Sequence, residues 1–139
     1  MQHFELTWNG GMEFVGTTPS GHKVLVDSTP DKGGGDKGPR PMELLIVGLA
    51  GCTAMDVIFI LRRMREKVQE FKVEIDTERE ESHPKVYKSI HIKYLFKGEN
   101  LSEKNIKRAI DLSQDVYCSA SATFKRSGAT VTYSYEIKS

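Results

Sequence analysis

At 139 residues, 38% apolar and 28% charged, the chain has the size of one domain and a composition that argues against global disorder. Twenty Lys and Arg against nineteen Asp and Glu leave a formal charge of +1, so the basic excess that marks a nucleic-acid binder is missing. Two cysteines are too few for a disulfide scaffold or a four-cysteine zinc site.

The opening residues, MQHFELTWNG, hold neither the basic start nor the apolar core of a signal peptide. That points to a cytoplasmic, reducing setting, in which two thiols draw attention. In Gln2–Trp8 the apolar residues Phe4, Leu6 and Trp8 alternate with polar ones, and Asn9-Gly10-Gly11 is a hairpin signal. Met12–Thr17 and Lys23–Asp27 read as the next two strands. Ser28–Arg40 holds four glycines, two prolines, two aspartates and two lysines and reads as a flexible loop.

Pro41 then opens a helix, where its missing N–H is no loss. Leu44–Leu61 (LLIVGLAGCTAMDVIFIL) is apolar on nearly every face, and Arg62, Arg63, Arg65 and Lys67 follow where cations suit the helix C-terminus. The run is long enough to span a membrane, but Asp56, Gly48, Gly51 and Thr53 argue against a lone span. The expectation is a helix buried all round, with a homodimer supplying what one short chain lacks.

Strand patterning returns at Phe71, Val73 and Ile75. Beyond Ser82-His83-Pro84 it resumes at Val86, Ile90, Ile92, Tyr94 and Phe96, and Gly98 closes the strand. Ser102 caps a second helix running through Ile106, Ala109, Ile110 and Ser113. Val116-Tyr117-Cys118 interrupts it, Ser119–Thr123 leads to a stop at Gly128, and Val131, Tyr133, Tyr135 and Ile137 form the last strand. The order β-β-β, long α, β-β, α, β indicates one α+β domain, residues 1–139, with antiparallel sheet.

Three candidate chemistries follow. Gly33-x-Gly35-x-x-Gly38 matches the dinucleotide fingerprint in letters only, because Pro39 and Pro41 sit where its helix should open. His3, His22, His83 and His91 form no paired motif, so no metal site is expected. Cys52 and Cys118 remain. Buried thiols are usually inert, and a reactive one needs a cation, for which Lys32, Lys37 and Arg40 are the nearest candidates. On a regular helix Asp56 lies about 40° from Cys52 and Glu43 about 180° away.

The segment Gly38-Pro39-Arg40-Pro41-Met42-Glu43-Leu44-Leu45, continuing to Gly48-Leu49-Ala50-Gly51-Cys52-Thr53, strongly resembles the OsmC/Ohr family of osmotically inducible and organic-hydroperoxide-resistance proteins. Val116-Tyr117-Cys118-Ser119 fits that family's second cysteine, and the element order agrees with its fold. The resemblance implies an OsmC-like α+β fold, with antiparallel sheets wrapped around long central helices in an intertwined homodimer. It further implies a thiol peroxidase without cofactor or metal: Cys52 attacks a small organic hydroperoxide and Cys118 resolves the sulfenic acid. A dithiol such as a dihydrolipoyl group then reduces the disulfide. Arg40 and Glu43 stand nearest to the family's thiolate-holding arginine and its glutamate. Catalytic members carry the glutamate directly after the motif proline, where this chain has Met42. Pro-Met-Glu-Leu with Cys-Thr-Ala-Met-Asp looks like the YhfA-like branch. Neither a nucleic acid nor a membrane is expected as partner. A non-enzymatic protein binding a small hydrophobic or thiol ligand in the dimer pocket is the alternative.

Overall fold

The alternating apolar residues at the N-terminus form a three-stranded antiparallel meander of β1 (Glu5–Trp8), β2 (Phe14–Thr17) and β3 (Lys23–Val26). The computed structural model describes residues 1–139, and its contacts divide into two units, Met1–Ile46 and Val47–Ser139. The β1–β2 turn takes more residues than a two-residue hairpin, which is why β2 starts at Phe14 and not Met12. Asn9 N–H bonds the Glu13 carbonyl at 2.9 Å, and Gly10 and Gly11 both take positive φ, at 97° and 56°.

The glycine-rich segment after β3 is pinned, not flexible. The buried Asp27 carboxylate accepts backbone N–H bonds from Ser28 (2.7 Å), Gly35 (3.2 Å) and Lys37 (3.1 Å). Thr29 leads into a single 3-10 turn at Pro30–Lys32, ended by Gly33 at φ 86°. A Cβ at Gly34 would collide with the Ser28 carbonyl, and one at Gly38 with that of Leu25. These glycines serve close backbone packing, and the dinucleotide match is coincidental.

Helix α1 (Pro41–Arg63) starts and stops where the sequence indicates. It is not buried all round. Leu49, Thr53, Val57 and Leu61 are fully covered, one residue every fourth position, which makes a single i±4 stripe. Met55 and Phe59 on other faces are 72% and 63% exposed. One chain has too few elements to wrap such a helix. By length and composition α1 could cross a membrane.

The second unit builds a three-stranded sheet from β4 (Glu70–Arg79), β5 (Tyr87–Lys97) and β6 (Thr130–Lys138), with β5 central. Ile90, Ile92, Tyr94 and Phe96 of β5 alternate to one face and are buried. Phe71 pairs across the strands with Phe96, rings stacked at 4.8 Å. β4–β5 is antiparallel as expected, but β6 runs parallel to β5. The helices of the intervening connection supply the crossover that parallel pairing needs.

That connection holds α2 (Glu103–Leu112), capped by Ser102 Oγ accepting from Asn105 N–H at 3.2 Å. A wide π-turn, Ser113–Tyr117, follows it, and a separate α3 spans Ser119–Arg126. The interruption read at Val116-Tyr117-Cys118 is therefore a break between two helices, with Cys118 as the N-cap of the second. Gly128, at φ 101°, turns the chain into β6.

A paired-thiol candidate site

Both cysteines come together in the second unit. Cys52 projects from the middle of α1 and is half-buried, while Cys118, 4% exposed, sits between the π-turn and α3. Asp56 follows Cys52 by one helical turn, on nearly the same face, as the helical wheel requires. The Cys52 and Cys118 Sγ atoms and a carboxylate oxygen of Asp56 all lie within 4.8 Å of one another.

Buried hydroxyls tie the three elements together behind this cluster. Ser113 Oγ donates to Asp56 Oδ2 at 3.0 Å. Thr53 Oγ1 lies 2.7 Å from Ser113 Oγ and 2.6 Å from Tyr94 Oη, and Gln114 Nε2 donates to Tyr94 Oη at 2.8 Å. Ser121 Oγ donates to Gln114 Oε1 at 2.7 Å. A hydroxyl has one proton, so the direction is determined. Ser113 gives its proton to Asp56, Thr53 must then donate to Ser113, and Tyr94 must donate to Thr53. Burial pushes the Tyr94 hydroxyl above its ordinary pKa, which keeps the donating proton in place.

The two thiols have different surroundings. Burial pushes Cys118 up from 9.0 to about 11. The Ser121 N–H, bonded to Cys118 Sγ at 3.3 Å, works against that, and the neighbouring Cys52 thiol adds to it. Desolvation outweighs the favourable helix N-terminus. Lys125, on the helix that Cys118 caps, spends its ammonium on the Gln114 carbonyl at 3.1 Å.

The other two expected site residues lie in the first unit. Arg40 pairs with Asp36 at 2.6 Å and donates to the Gly38 carbonyl at 2.9 Å. Glu43 Oε1 accepts the Arg40 backbone N–H at 2.7 Å, so its carboxylate caps the start of α1. Thr53, Tyr94, Ser113, Gln114 and Ser121 were not singled out from sequence. Ser113 and Gln114 side by side in an apolar-lined helix were the available signal, since polar groups at core positions require partners.

An apolar cleft of ≈ 530 Å³ opens beside Asp56, lined also by Met55, Phe59, Ile60 and Tyr117. Thr53 and Asp56, inside the apolar run, are thus engaged by β5 and the π-turn, a partnership that a lone membrane span would not have.

Comparison with known proteins fits this arrangement. The model of OsmC-like proteins matches residues 33–134. The chain belongs to the OsmC family. It is 35% identical over 130 residues to Protein YhfA of Escherichia coli strain K12, covering 94% of this chain and 93% of that protein. A hypothetical protein from Aquifex aeolicus VF5 superposes with a TM-score of 0.85 at 34% identity, over 99% of this chain and 96% of that one. An organic hydroperoxide resistance protein OsmC from Legionella pneumophila shares the OsmC fold at a TM-score of 0.69 and 15% identity, over 98% and 96% of the two chains. Family membership agrees with the α+β fold of helices and two small sheets.

Proposed function

We propose that this OsmC-family chain is a dithiol peroxidase for small organic hydroperoxides, with Cys52 as attacking thiol and Cys118 as resolving thiol. The observation that carries it is the approach of the two sulfurs to within 4.8 Å. The Cys52 thiolate attacks the distal peroxide oxygen, the O–O bond breaks, and the alkoxide takes a proton and leaves as alcohol. Cys52 is then a sulfenic acid. The Cys118 sulfur attacks Cys52, and the sulfenic oxygen departs as water with the Cys118 proton. A disulfide needs the sulfurs to close to about 2.05 Å, a small movement from their separation here. A dithiol reductant completes the cycle by exchange.

Burial of Cys118 and its raised pKa suit a thiol that reacts second, and the half-exposed Cys52 suits one that meets peroxide first. The cleft of Met55, Phe59, Ile60 and Tyr117 has the polarity to hold an alkyl group. We place the active form as a homodimer in a reducing compartment, with the exposed face of α1 as the shared surface.

Limited cumene hydroperoxide should convert both free thiols to one intramolecular disulfide, read as the loss of two titratable thiols and two mass units. Cys52→Ser should abolish peroxide consumption. Cys118→Ser should consume one equivalent and leave a trappable sulfenic acid. Two titratable thiols surviving excess hydroperoxide would reverse the conclusion. The same apolar cleft, with Met42 where peroxidases carry glutamate, would then favour a non-enzymatic binder of a small hydrophobic or thiol ligand.

A further inference from the structure

The grouping of Cys52, Asp56 and Cys118 has a second chemical use. Two sulfurs and one carboxylate oxygen, all within 4.8 Å of each other, are the donor set of a three-ligand site for a borderline-soft divalent cation. Around a tetrahedral zinc-type ion, with metal–sulfur bonds of about 2.3 Å and metal–oxygen bonds of about 2.0–2.2 Å, the donors stand about 3.5–3.8 Å apart. The side chains therefore have to close by about 1.3 Å at most, from 4.8 Å to about 3.5 Å. The sequence shows no metal spacing because its ligands come from an i, i+4 pair on α1 and the N-cap of a helix far along the chain.

What separates this cluster from a chance meeting of three side chains is its outer layer. Ser113 Oγ donates to Asp56 Oδ2 at 3.0 Å, which fixes the carboxylate and leaves one oxygen to bind. The Ser121 N–H bonds Cys118 Sγ at 3.3 Å and orients that sulfur. Ser113 is itself locked by Thr53 at 2.7 Å. Ligands held by a second layer of hydrogen bonds are the pattern of built metal sites. The cleft lined by Asp56 gives an entry path to the carboxylate.

We propose that the reduced chain binds one zinc-type divalent cation through Cys52 Sγ, Asp56 and Cys118 Sγ. Binding forms two metal–sulfur bonds and one metal–oxygen bond and releases the two thiol protons, with no change of oxidation state. The bound cation occupies both sulfurs, so it protects the dithiol from peroxide and is itself expelled when the disulfide forms. The inference rests on the same sulfur pair as the dithiol proposal but not on peroxide reduction.

Titration of reduced, metal-free, full-length protein with Co2+ under anaerobic conditions is the test. A thiolate-to-cobalt charge-transfer band should grow in the near ultraviolet, saturate at one equivalent per chain, and bleach when Zn2+ is added. Cys118→Ser should lose most of the band. Asp56→Asn and Ser113→Ala should weaken Co2+ binding about 10–100-fold, as loss of an inner or outer partner does. Wild-type protein oxidised with diamide, which makes the disulfide without any peroxide step, should show no band. No band in reduced protein holding two titratable thiols would overturn the proposal. So would unchanged affinity in both Asp56→Asn and Ser113→Ala. Loss of thiols to cumene hydroperoxide in metal-free protein is scored separately, so either proposal can fail alone.

Discussion

Ser113 Oγ donates its only proton to Asp56 Oδ2, and this one bond orders every hydroxyl behind it. Thr53 must donate to Ser113, and Tyr94 to Thr53, while Gln114 Nε2 supplies Tyr94 at 2.8 Å. The chain of donors joins β5, the π-turn and α1 and ends at the carboxylate beside the two thiols. The site is held by a satisfied polar network, where a half-satisfied one would weaken the core.

Tyr94→Phe should destabilise the fold by ~1–3 kcal/mol, because Gln114 Nε2 and Thr53 Oγ1 each lose their shortest bond in a buried setting and Gln114 Nε2 keeps only its 3.3 Å bond to Thr53 Oγ1. Thr53→Val should cost a similar amount. The double variant should cost less than the sum, since each removes a partner the other needs. Urea unfolding of the four proteins measures the coupling. Strict additivity would mean that the bonds act independently.

The parts of this design visible in the sequence are those with a local signature. Alternation marks β5 through Ile90, Ile92, Tyr94 and Phe96, a serine before a polar turn marks α2, and Pro41 with Arg62 and Arg63 brackets α1. The resemblance brought Cys52 and Cys118 into one site, where spacing alone gave no reason to join them. Features fixed by distant contacts were not legible. The Asp27 carboxylate tightens a loop whose composition reads as loose, because its three N–H donors arrive from up to ten residues away. The parallel course of β6 depends on where α2 and α3 return the chain. Thr53 reads as a minor polar residue in an apolar run until Tyr94 and Ser113 are placed against it.

Asp27 supplies a pH-dependent part of the stability. The Ser28 N–H, more than any other favourable contact, holds its pKa below the ordinary 3.8, with Lys37, Gly35 and Arg40 assisting against burial. A depressed carboxylate contributes stability that is present above its unfolded pKa and lost as pH falls through its folded value. Asp27→Asn should therefore be less stable than wild type at pH 7, and the gap should narrow toward pH 3. Urea midpoints at both pH values check this. An equal gap at both would show that the carboxylate's charge contributes nothing.

The exposed side of α1 predicts the assembly. Val47, Met55 and Phe59, at 63%, 72% and 63% exposed, with Val116 and Tyr117 at 65% and 58%, leave more large apolar surface open than a stable monomer carries. Sedimentation should find a dimer at micromolar concentration. Phe59→Glu should shift it toward monomer, because dimerisation would lose the apolar ring and desolvate a charge. A wild-type monomer at that concentration would remove the shared-core proposal.

The division of labour between the thiols leads to the last prediction. Burial raises Cys118 from 9.0 to about 11, and that contribution survives removal of Cys52. A shift of two units leaves about 100-fold less thiolate at pH 7 than an ordinary thiol has. In Cys52→Ser, which keeps the burial but loses the contribution of Cys52, iodoacetamide should therefore still modify Cys118 more slowly than a model thiol, with the rate still rising above pH 9. In Cys118→Ser, the half-exposed Cys52 should react faster at pH 7 than Cys118 does in the reciprocal variant, because reagent reaches it directly. The comparison uses a neutral alkylating agent, so it reads thiolate supply and access without any peroxide chemistry. Faster modification of Cys118 than of Cys52 would exchange the two roles: the helix N-cap would be the attacking sulfur and Cys52 the resolving one.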